Sequence, residues 1–333
     1  MSRVRRWAPV AYPVVLTVLT AVQLAAPQRD GPLALAQVFA PWLFLPLLAL
    51  LPHAVLLRDR ALITALSGAL LAFTVQVGPT FVPAGRSTSE PGSVPVGVGF
   101  WNVLGTNAPA QVVATVRDLD ADVVGLVEVT PALAAALAGD PGVRSRFRTV
   151  LPEPAAGRAL LSRHPVLASG IRTGAAARPG SAVLWARLDL GAGRTLSVLV
   201  AHPLPARSRP VLGLPLRYSA APRDAEIAFT RGLADERVRA GERVLLVGDF
   251  NVTDREPGGA ELAAGLHDAH AEVGWGPGAS WAPPALRRHG IALVRIDRVL
   301  GGPGVVPTAV RTDCAWRGSD HCLLQATVAV APT

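Results

Sequence analysis

The chain has 333 residues, half of them hydrophobic and only 17% charged, with a formal net charge of +8. Such a composition excludes a disordered protein, which combines low hydrophobicity with high charge, and it is too apolar for one ordinary soluble domain, so membrane segments are sought first. Two cysteines exclude a disulfide-dense scaffold and a four-cysteine zinc site, and because every basic residue is arginine in a chain rich in Ala, Gly and Pro, the arginine content reads as a compositional bias rather than as selection for phosphate binding.

Residues 7–28, 31–57 and 61–85 contain no Asp, Glu, Lys or Arg. A bilayer span takes about 20 apolar residues, and soluble helices are rarely uncharged for so long. Three transmembrane helices are therefore predicted, at about 8–27, 33–57 and 61–83. Pro13, Pro41, Pro46 and Pro52 do not argue against them, because membrane helices tolerate helix breakers. Arg3, Arg5 and Arg6 precede the first span, and Arg58 and Arg60 lie between the second and third. The positive-inside rule then puts the N-terminus in the cytoplasm, and three crossings deliver everything after residue 85 to the extracytoplasmic side of the cell membrane. A cleaved first span ending near Ala25 and Ala26 would leave that side unchanged. Residues 1–83 hold six Arg and two Asp, so half of the net +8 belongs to them. The mild excess left for the remainder does not call for nucleic acid.

Residues 84–95 (AGRSTSEPGSVP) read as a linker. Twelve residues reach at most about 40 Å, which keeps the domain at 96–333 close to the bilayer. In that domain, residues 96–103 are apolar and β-rich, and Val112, Val113, Val116 and Leu119 recur at helical spacing. Short strands are predicted at 122–127, 194–201, 243–247, 294–300 and 322–330, and a charged helix at 220–240 around Ile227 and Phe229. This order predicts an α/β domain with large sheets, and continuous apolar runs predict strands covered on both faces.

Polar residues gather at the ends of these strands. Asn102 and Glu128 follow the first two, and His202 follows the third. Asp249 and Asn251 leave the fourth inside Gly-Asp-Phe-Asn, Asp297 opens the next, and Asp320 and His321 open the last. A carboxylate at a buried strand end is costly unless it is paired or bound to metal. Several meeting at one edge make an oxygen-rich pocket suited to Mg2+ or Mn2+. Singly, each has a bland alternative: Glu128 as a helix-start carboxylate, His202 as a loop histidine, Asp297 as an ion-pair partner of Arg295 and Arg298. Asp249 and Asn251 carry more weight, because residues two apart on a strand face the same way.

The order of these motifs resembles the endonuclease/exonuclease/phosphatase superfamily, in a membrane-anchored subgroup. The likeness rests on Trp101-Asn102, Glu128 after DADVVGLV, His202-Pro203, GDFN at 248–251, Ser280-Trp281, RID at 295–297 and SDH at 319–321. It implies a four-layer α/β sandwich, with two packed mixed sheets flanked by helices and the site at the sheet edge. It also implies roles. Glu128 resembles the principal metal ligand, with Asn102 beside it and Asp320 as a further metal-site carboxylate. Asp249 resembles the group that positions or deprotonates water, Asn251 a donor to phosphate, and His321 the imidazole at the scissile phosphate, oriented by Asp297. His202 resembles a second phosphate-facing histidine. The family often has Gln before the metal-binding Glu, and here Val127 stands there.

The activity implied is metal-dependent hydrolysis of phosphoric esters or diphosphates. The layout resembles three-span members linked to glycopeptide resistance, which points to lipid-linked phosphates of the cell envelope as substrates. The alternatives are an outward-facing nuclease or phosphodiesterase acting on nucleic acid, and a tethered binding domain without catalysis. Only Tyr218 of the two tyrosines lies beyond the membrane part, which weighs against base stacking. Residues 190–223 contain Arg194, Arg207, Arg209, Arg217 and Arg223 and no acid, and much of the stretch is a Pro-rich loop just after His202. That stretch reads either as a flap for anionic substrate or as a solvated loop. Cys314 and Cys322 flank the SDH loop and read equally as a disulfide or as two small buried residues.

Overall fold

The computed structural model describes residues 3–85, 88–174, 182–211 and 214–332; Arg86 and Ser87 of the expected linker lie outside the described residues. The strands in chain order are β1 (Val94–Asn102), β2 (Val123–Val127), β3 (Thr149–Glu153), β4 (Arg158–Ser162), β5 (Val166–Thr173), β6 (Ala182–Gly191), β7 (Arg194–Ala201), β8 (Arg207–Val211), β9 (Leu214–Ser219), β10 (Val244–Asp249), β11 (His267–Asp268), β12 (Asp297–Gly301), β13 (Val305–Asp313) and β14 (Leu323–Val330). They form two six-stranded sheets, ordered β13-β14-β1-β2-β4-β3 and β11-β12-β10-β7-β6-β5, and a separate β8-β9 hairpin.

Each large sheet has one parallel pair at its centre, β1 with β2 and β7 with β10, and antiparallel strands outside it. Parallel neighbours need a crossover. Helices α5 (Pro109–Asp118), α6 (Pro131–Gly139) and α7 (Pro141–Arg146) lie on the first sheet, and α8 (Ala221–Arg239) lies on the second, between β7 and β10 in the chain. The C-terminal ends of both pairs reach one rim, and the antiparallel neighbours β12 and β14 begin there. Asp249 of β10 is opposite Asp297 of β12. At the other pole, Val94 pairs with Val330.

Alternation along β1 shows how four layers arise. Val96, Val98 and Phe100 face the second sheet and pack with Val200, Leu245 and Val247. Trp101 faces outward and joins Val112, Val113, Val116 and Leu133 beneath the helices. On the far side, Ile227, Leu233 and Ala234 of α8 cover Leu199 and Leu246. Burying each large apolar side chain contributes roughly 1.5–3 kcal/mol, so both faces of both sheets stabilise the domain. The sheets approach closely at Gly125: a Cβ there would stand 2.8 Å from Val247 and 3.2 Å from Val200. The ends of α8 suit its dipole, with Asp224 in the first turn and Arg237 and Arg239 in the last. The expected α/β sandwich of two mixed sheets flanked by helices is therefore found. β12 starts at Asp297, three residues later than expected, because Val294 makes only an isolated bridge to Trp281.

The N-terminal part corrects the sequence reading. Its helices are α1 (Arg3–Ala25), α2 (Gly31–Val38), α3 (Leu47–Leu57) and α4 (Arg60–Val77). Among the described residues, only Arg60–Phe81 is a single helix long and apolar enough to cross a bilayer. The second expected span is broken into Gly31–Val38 and Ala40–Leu56, bent by 85°. The break falls at Phe39, just before the 3-10 turn Ala40–Phe44 that contains Pro41, which has no backbone donor with which to continue the α-helix. The apolar part of the first, Pro9–Ala25, is shorter than a full crossing. The region is also not held off by a free linker. Arg29 pairs with Asp224 and Glu261, Trp42 Nε1 donates to the Leu293 carbonyl (2.8 Å), and Ala84 N–H donates to the Ala271 carbonyl. The arginine-rich stretch after His202 is not a plain loop but the β8-β9 hairpin, whose Tyr218 packs with Ala34.

Candidate active site

Strand ends set the geometry. Asn102 is the last residue of β1, and Glu128 follows β2. His202 follows β7, Asp249 ends β10, Asp297 begins β12, and His321 lies just before β14. Three non-glycine residues near this rim have left-handed backbones: Leu104 (φ 60°), Glu128 (φ 62°) and Asn251 (φ 51°). Each such conformation costs on the order of 1–3 kcal/mol and persists only where its surroundings impose it. Both carboxylate oxygens of Glu128 are directed: Oε1 accepts from Asn102 Nδ2 at 2.9 Å, and Oε2 accepts from Gly105 N–H at 3.0 Å.

Asn102 is the hub. Its Nδ2 also lies 3.0 Å from Asp249 Oδ2 and 3.3 Å from His321 Nε2, while its Oδ1 accepts from Leu104 N–H. His321 Nδ1 meets Asp297 Oδ2 at 2.9 Å, and its Nε2 faces Asp249 Oδ2 at 3.5 Å. His202 Nε2 is 3.4 Å from Asp249 Oδ2 and 4.0 Å from Glu128 Oε1. Glu128 is the open carboxylate, with its side chain 33% exposed, against 2% for Asp249 and 0% for Asp297. The buried pair works on His321 and the accessible group faces the cleft.

Burial disfavours charge on His321, but Asp297 and Asp249 outweigh it and push the imidazole up to about 9. Burial also opposes ionisation of Asp249, yet His321 and His202 hold it down at about 2. Asp297 is raised by burial and by the charge of Asp249, against the pull of His321. His321 and Asp297 thus compete for one proton, and we assign it to the imidazole, which faces two carboxylates.

Asn251 and Asp320 sit differently from the rest. Asn251 N–H donates to Asp249 Oδ1, but its side-chain amide donates to the Pro203 carbonyl. The strand has ended at Asp249, so the same-face argument does not extend to Asn251. Its side chain ties the GDFN loop to the His202-Pro203 segment. Asp320 is half-buried and accepts from Trp281 Nε1 at 2.9 Å. Arg295 and Arg298 do not claim Asp297; they pair with Asp254 and Asp268.

The hydroxyl roles of Ser280 and Ser319 were missed by sequence reasoning, while the disulfide was one of its two readings of the cysteines and Trp281 was among its motif residues. Ser280 Oγ accepts from Ile296 and Asp297 N–H, and Ser319 Oγ donates to the Asn102 carbonyl while accepting from His321 N–H. Trp281 bridges to His321, and a Cys314–Cys322 disulfide braces the loop that carries Asp320 and His321. Val127 is fully buried in the core between the sheets. Asn102 and Gly105 supply the hydrogen bonds to Glu128, so its orientation does not depend on the residue before it.

The donor set fits a hard divalent cation. Three carboxylates, Glu128, Asp249 and Asp297, face two imidazoles, so negative charge is in excess even with both histidines protonated. An amide nitrogen carries two hydrogens, and Asn102 Nδ2 spends both on Glu128 Oε1 and Asp249 Oδ2, so it faces the protonated His321 Nε2 at 3.3 Å as donor against donor, a contact that a bound cation and its waters would relieve. One ligand atom each from Asp249, Asp297 and His321 also fall within 4.8 Å of one another. That trio would hold an ion only if Asp297 released His321 Nδ1. The accessible oxygen of Glu128, with Asn102, is the better seat.

A two-sheet α/β sandwich with an acid–imidazole cleft at its rim defines the class of a phosphoric ester hydrolase. The chain belongs to the endonuclease/exonuclease/phosphatase family, whose profile matches residues 99–321. Solved structures agree on the fold. A truncated Caenorhabditis elegans TDP2 is 18% identical with a TM-score of 0.53, covering 71% of this chain and 98% of that one. D. rerio TDP2 complexed with single strand DNA product is 17% identical at 0.54, covering 70% and 98%. An endonuclease/exonuclease/phosphatase from Beutenbergia cavernae is 18% identical at 0.50, covering 71% and 72%. No curated protein sequence matches the chain.

Proposed function

We propose that this family member is a Mg2+-dependent (or Mn2+-dependent) hydrolase of phosphate esters or diphosphates. In this reading it is anchored in the cell membrane by its N-terminal helices, with the catalytic domain on the extracytoplasmic side, and acts on lipid-linked phosphates. The observation that carries the hydrolase reading is the convergence of Glu128, Asn102, His202, Asp249, Asp297 and His321 on one cleft from both sheets. The anchoring is supported by large exposed side chains on the N-terminal helices, among them Val18 (57%), Leu48 (61%), Val55 (71%) and Leu70 (64%). Surfaces of this kind on a soluble protein would be a liability.

Phosphoryl transfer needs positioning and charge stabilisation more than covalent chemistry. Glu128, with Asn102 and Asp320, would hold the cation, which when bound neutralises charge on a phosphoryl oxygen. Asp249, ionised and buried beside both histidines, places the attacking water and draws its proton. His321, kept cationic by Asp297, donates through Nε2 to the phosphate, and His202 donates from the other side. Asn251 fixes the loop between these groups and offers its remaining amide hydrogen to the phosphate. General acid–base help of this kind is worth about 10²–10⁴ in rate.

The test is Mg2+-dependent phosphate release from a polyprenyl diphosphate by the full chain, beside plasmid nicking under the same conditions. Lipid turnover without nicking supports the reading; nicking without lipid turnover reverses it in favour of the nuclease.

A further inference from the structure

An open groove of about 620 Å3 runs between helices α3 and α4 and the catalytic domain. Leu48, Leu51, Leu66 and Phe73 form its helical wall, and Leu293 and Val294 form the wall on the domain. The volume lies within the roughly 300–1,000 Å3 of small-molecule sites. Two arginines, Arg255 and Arg295, interrupt the apolar lining. Their situations differ. Arg295 donates to Asp254 and Asp268, and Arg298 pairs with the same two carboxylates. Two acids are thus already matched by two guanidinium groups. Arg255 is left over: among the described residues it has no hydrogen-bond or ion-pair partner, and its Nε is buried and unsatisfied. Burial lowers its pKa, Asp254 raises it, and the neighbouring Arg295 lowers it. A half-buried cation beside apolar surface is unfavourable until an anion reaches it.

We propose that this groove binds the hydrocarbon chain of a phosphate-bearing lipid, with the phosphate held by Arg255. The apolar walls suit the chain and the unpaired guanidinium suits the head; neither feature alone asks for an amphiphile. The inference goes beyond the hydrolase reading and does not depend on it, because binding is expected whether or not the lipid is turned over. The groove nevertheless shares its wall with the cleft. Ala279 and Val294 line the groove, while the adjoining Ser280 and Trp281 hold Asp297 and Asp320.

The experiment measures binding of farnesyl phosphate and of farnesol to the full chain in detergent with EDTA present, so that no metal-dependent turnover occurs. Farnesyl phosphate is expected to bind wild type about tenfold or more tightly than farnesol, the worth of a charge-assisted hydrogen bond. Arg255→Ala is expected to erase that preference and leave farnesol binding unchanged. Leu51→Trp, which fills the groove, is expected to weaken both ligands at least about tenfold. Equal affinity of wild type for the two ligands would overturn the proposal and mean unspecific adsorption to apolar helices. That comparison needs no variant, so misfolding of a mutant cannot rescue the idea. Tight farnesyl phosphate binding that survives Leu51→Trp would also overturn it by placing the phosphate in the catalytic cleft. Displacement by equimolar inorganic phosphate would do the same, showing an anion site without a lipid chain. Mg2+-dependent hydrolysis of bis(p-nitrophenyl) phosphate by the same preparation is read separately: its loss with lipid binding intact refutes the hydrolase alone, and the converse refutes the groove alone.

Discussion

Asp297→Asn tests the electrostatics of the cleft. The substitution is nearly isosteric and removes one of the two carboxylates facing His321, at 2.9 Å from Nδ1, while Asp249 stays 3.5 Å from Nε2. In the wild type those two acids push the imidazole up from 6.5 to about 9. An opposite charge at such a distance shifts a pKa by about 1–3 units, so losing Asp297 brings His321 down by roughly two, equivalent to about 2.7 kcal/mol. The protonated form is the one favoured by the acids, so the deficit must grow as pH rises. At pH 6 both proteins are at least about 90% protonated, and the variant loses little through this route. At pH 8.5 about three quarters of the wild type but only about 3% of the variant is protonated, a difference of roughly 25-fold. A divalent cation in the cleft lowers both pKa values together, so the measured quantity is the difference between two pH–rate profiles of kcat. A deficit that stays constant between pH 6 and 8.5, in a variant with an unchanged near-UV spectrum, would refute the claim that Asp297 holds His321 as a cation.

Other outcomes follow from the same geometry. Glu128→Ala and His321→Ala should each lower turnover by about 10²–10⁴ with the fold retained, since one removes the accessible carboxylate and the other the buried donor; full activity in either purified variant refutes the site. Gly125→Ala should destabilise the domain by about 1–3 kcal/mol in a urea titration, because its methyl group would meet Val247 and Val200 across the sheet interface. Reducing Cys314–Cys322 should cost about 2–3 kcal/mol by releasing a short loop and should lower kcat through Asp320 and His321; an unchanged kcat after thiol alkylation would show that the disulfide does not position them. In EDTA, stability should fall on both sides of a plateau. Asp249, depressed to about 2, contributes above its ordinary 3.8 and loses that contribution as pH falls toward 2. His321, raised to about 9, contributes fully below 6.5 and loses that contribution as pH climbs through 9. Urea midpoints across pH 2–10 would check both limbs.

Much of the catalytic domain was readable in the chain because its signals are local. β1, β2, β7 and β10 are short apolar runs ending in a polar residue, and burial on both faces leaves no other reading for them. The edge strands β3, β5 and β13 carry mixed sequences, with Leu167 and Arg172 in β5 and Arg311 in β13 among small residues, and no run identifies them. The cleft residues were named from strand ends, but two details needed three dimensions. Asn251 stands in a left-handed turn that strand periodicity cannot anticipate. Ser280 and Ser319 were marked as motif residues, but that their hydroxyls hold other residues' backbones shows only in the fold. The membrane part was over-read for a physical reason: absence of charge measures hydrophobicity but not helix continuity, and Pro41, just past the break at Phe39, bears on the latter.

The pairing of Val94 with Val330 has a practical corollary. Eight residue steps of about 3.3 Å separate Val94 from Asn102 along β1, so the carboxyl end of the sandwich emerges some 26 Å from where chemistry would occur. A reporter or affinity handle fused after Pro332 would hang from the end of β1 opposite Asn102. Immobilised through it on a bead or sensor chip, the protein would present its working edge outward to whatever flows past.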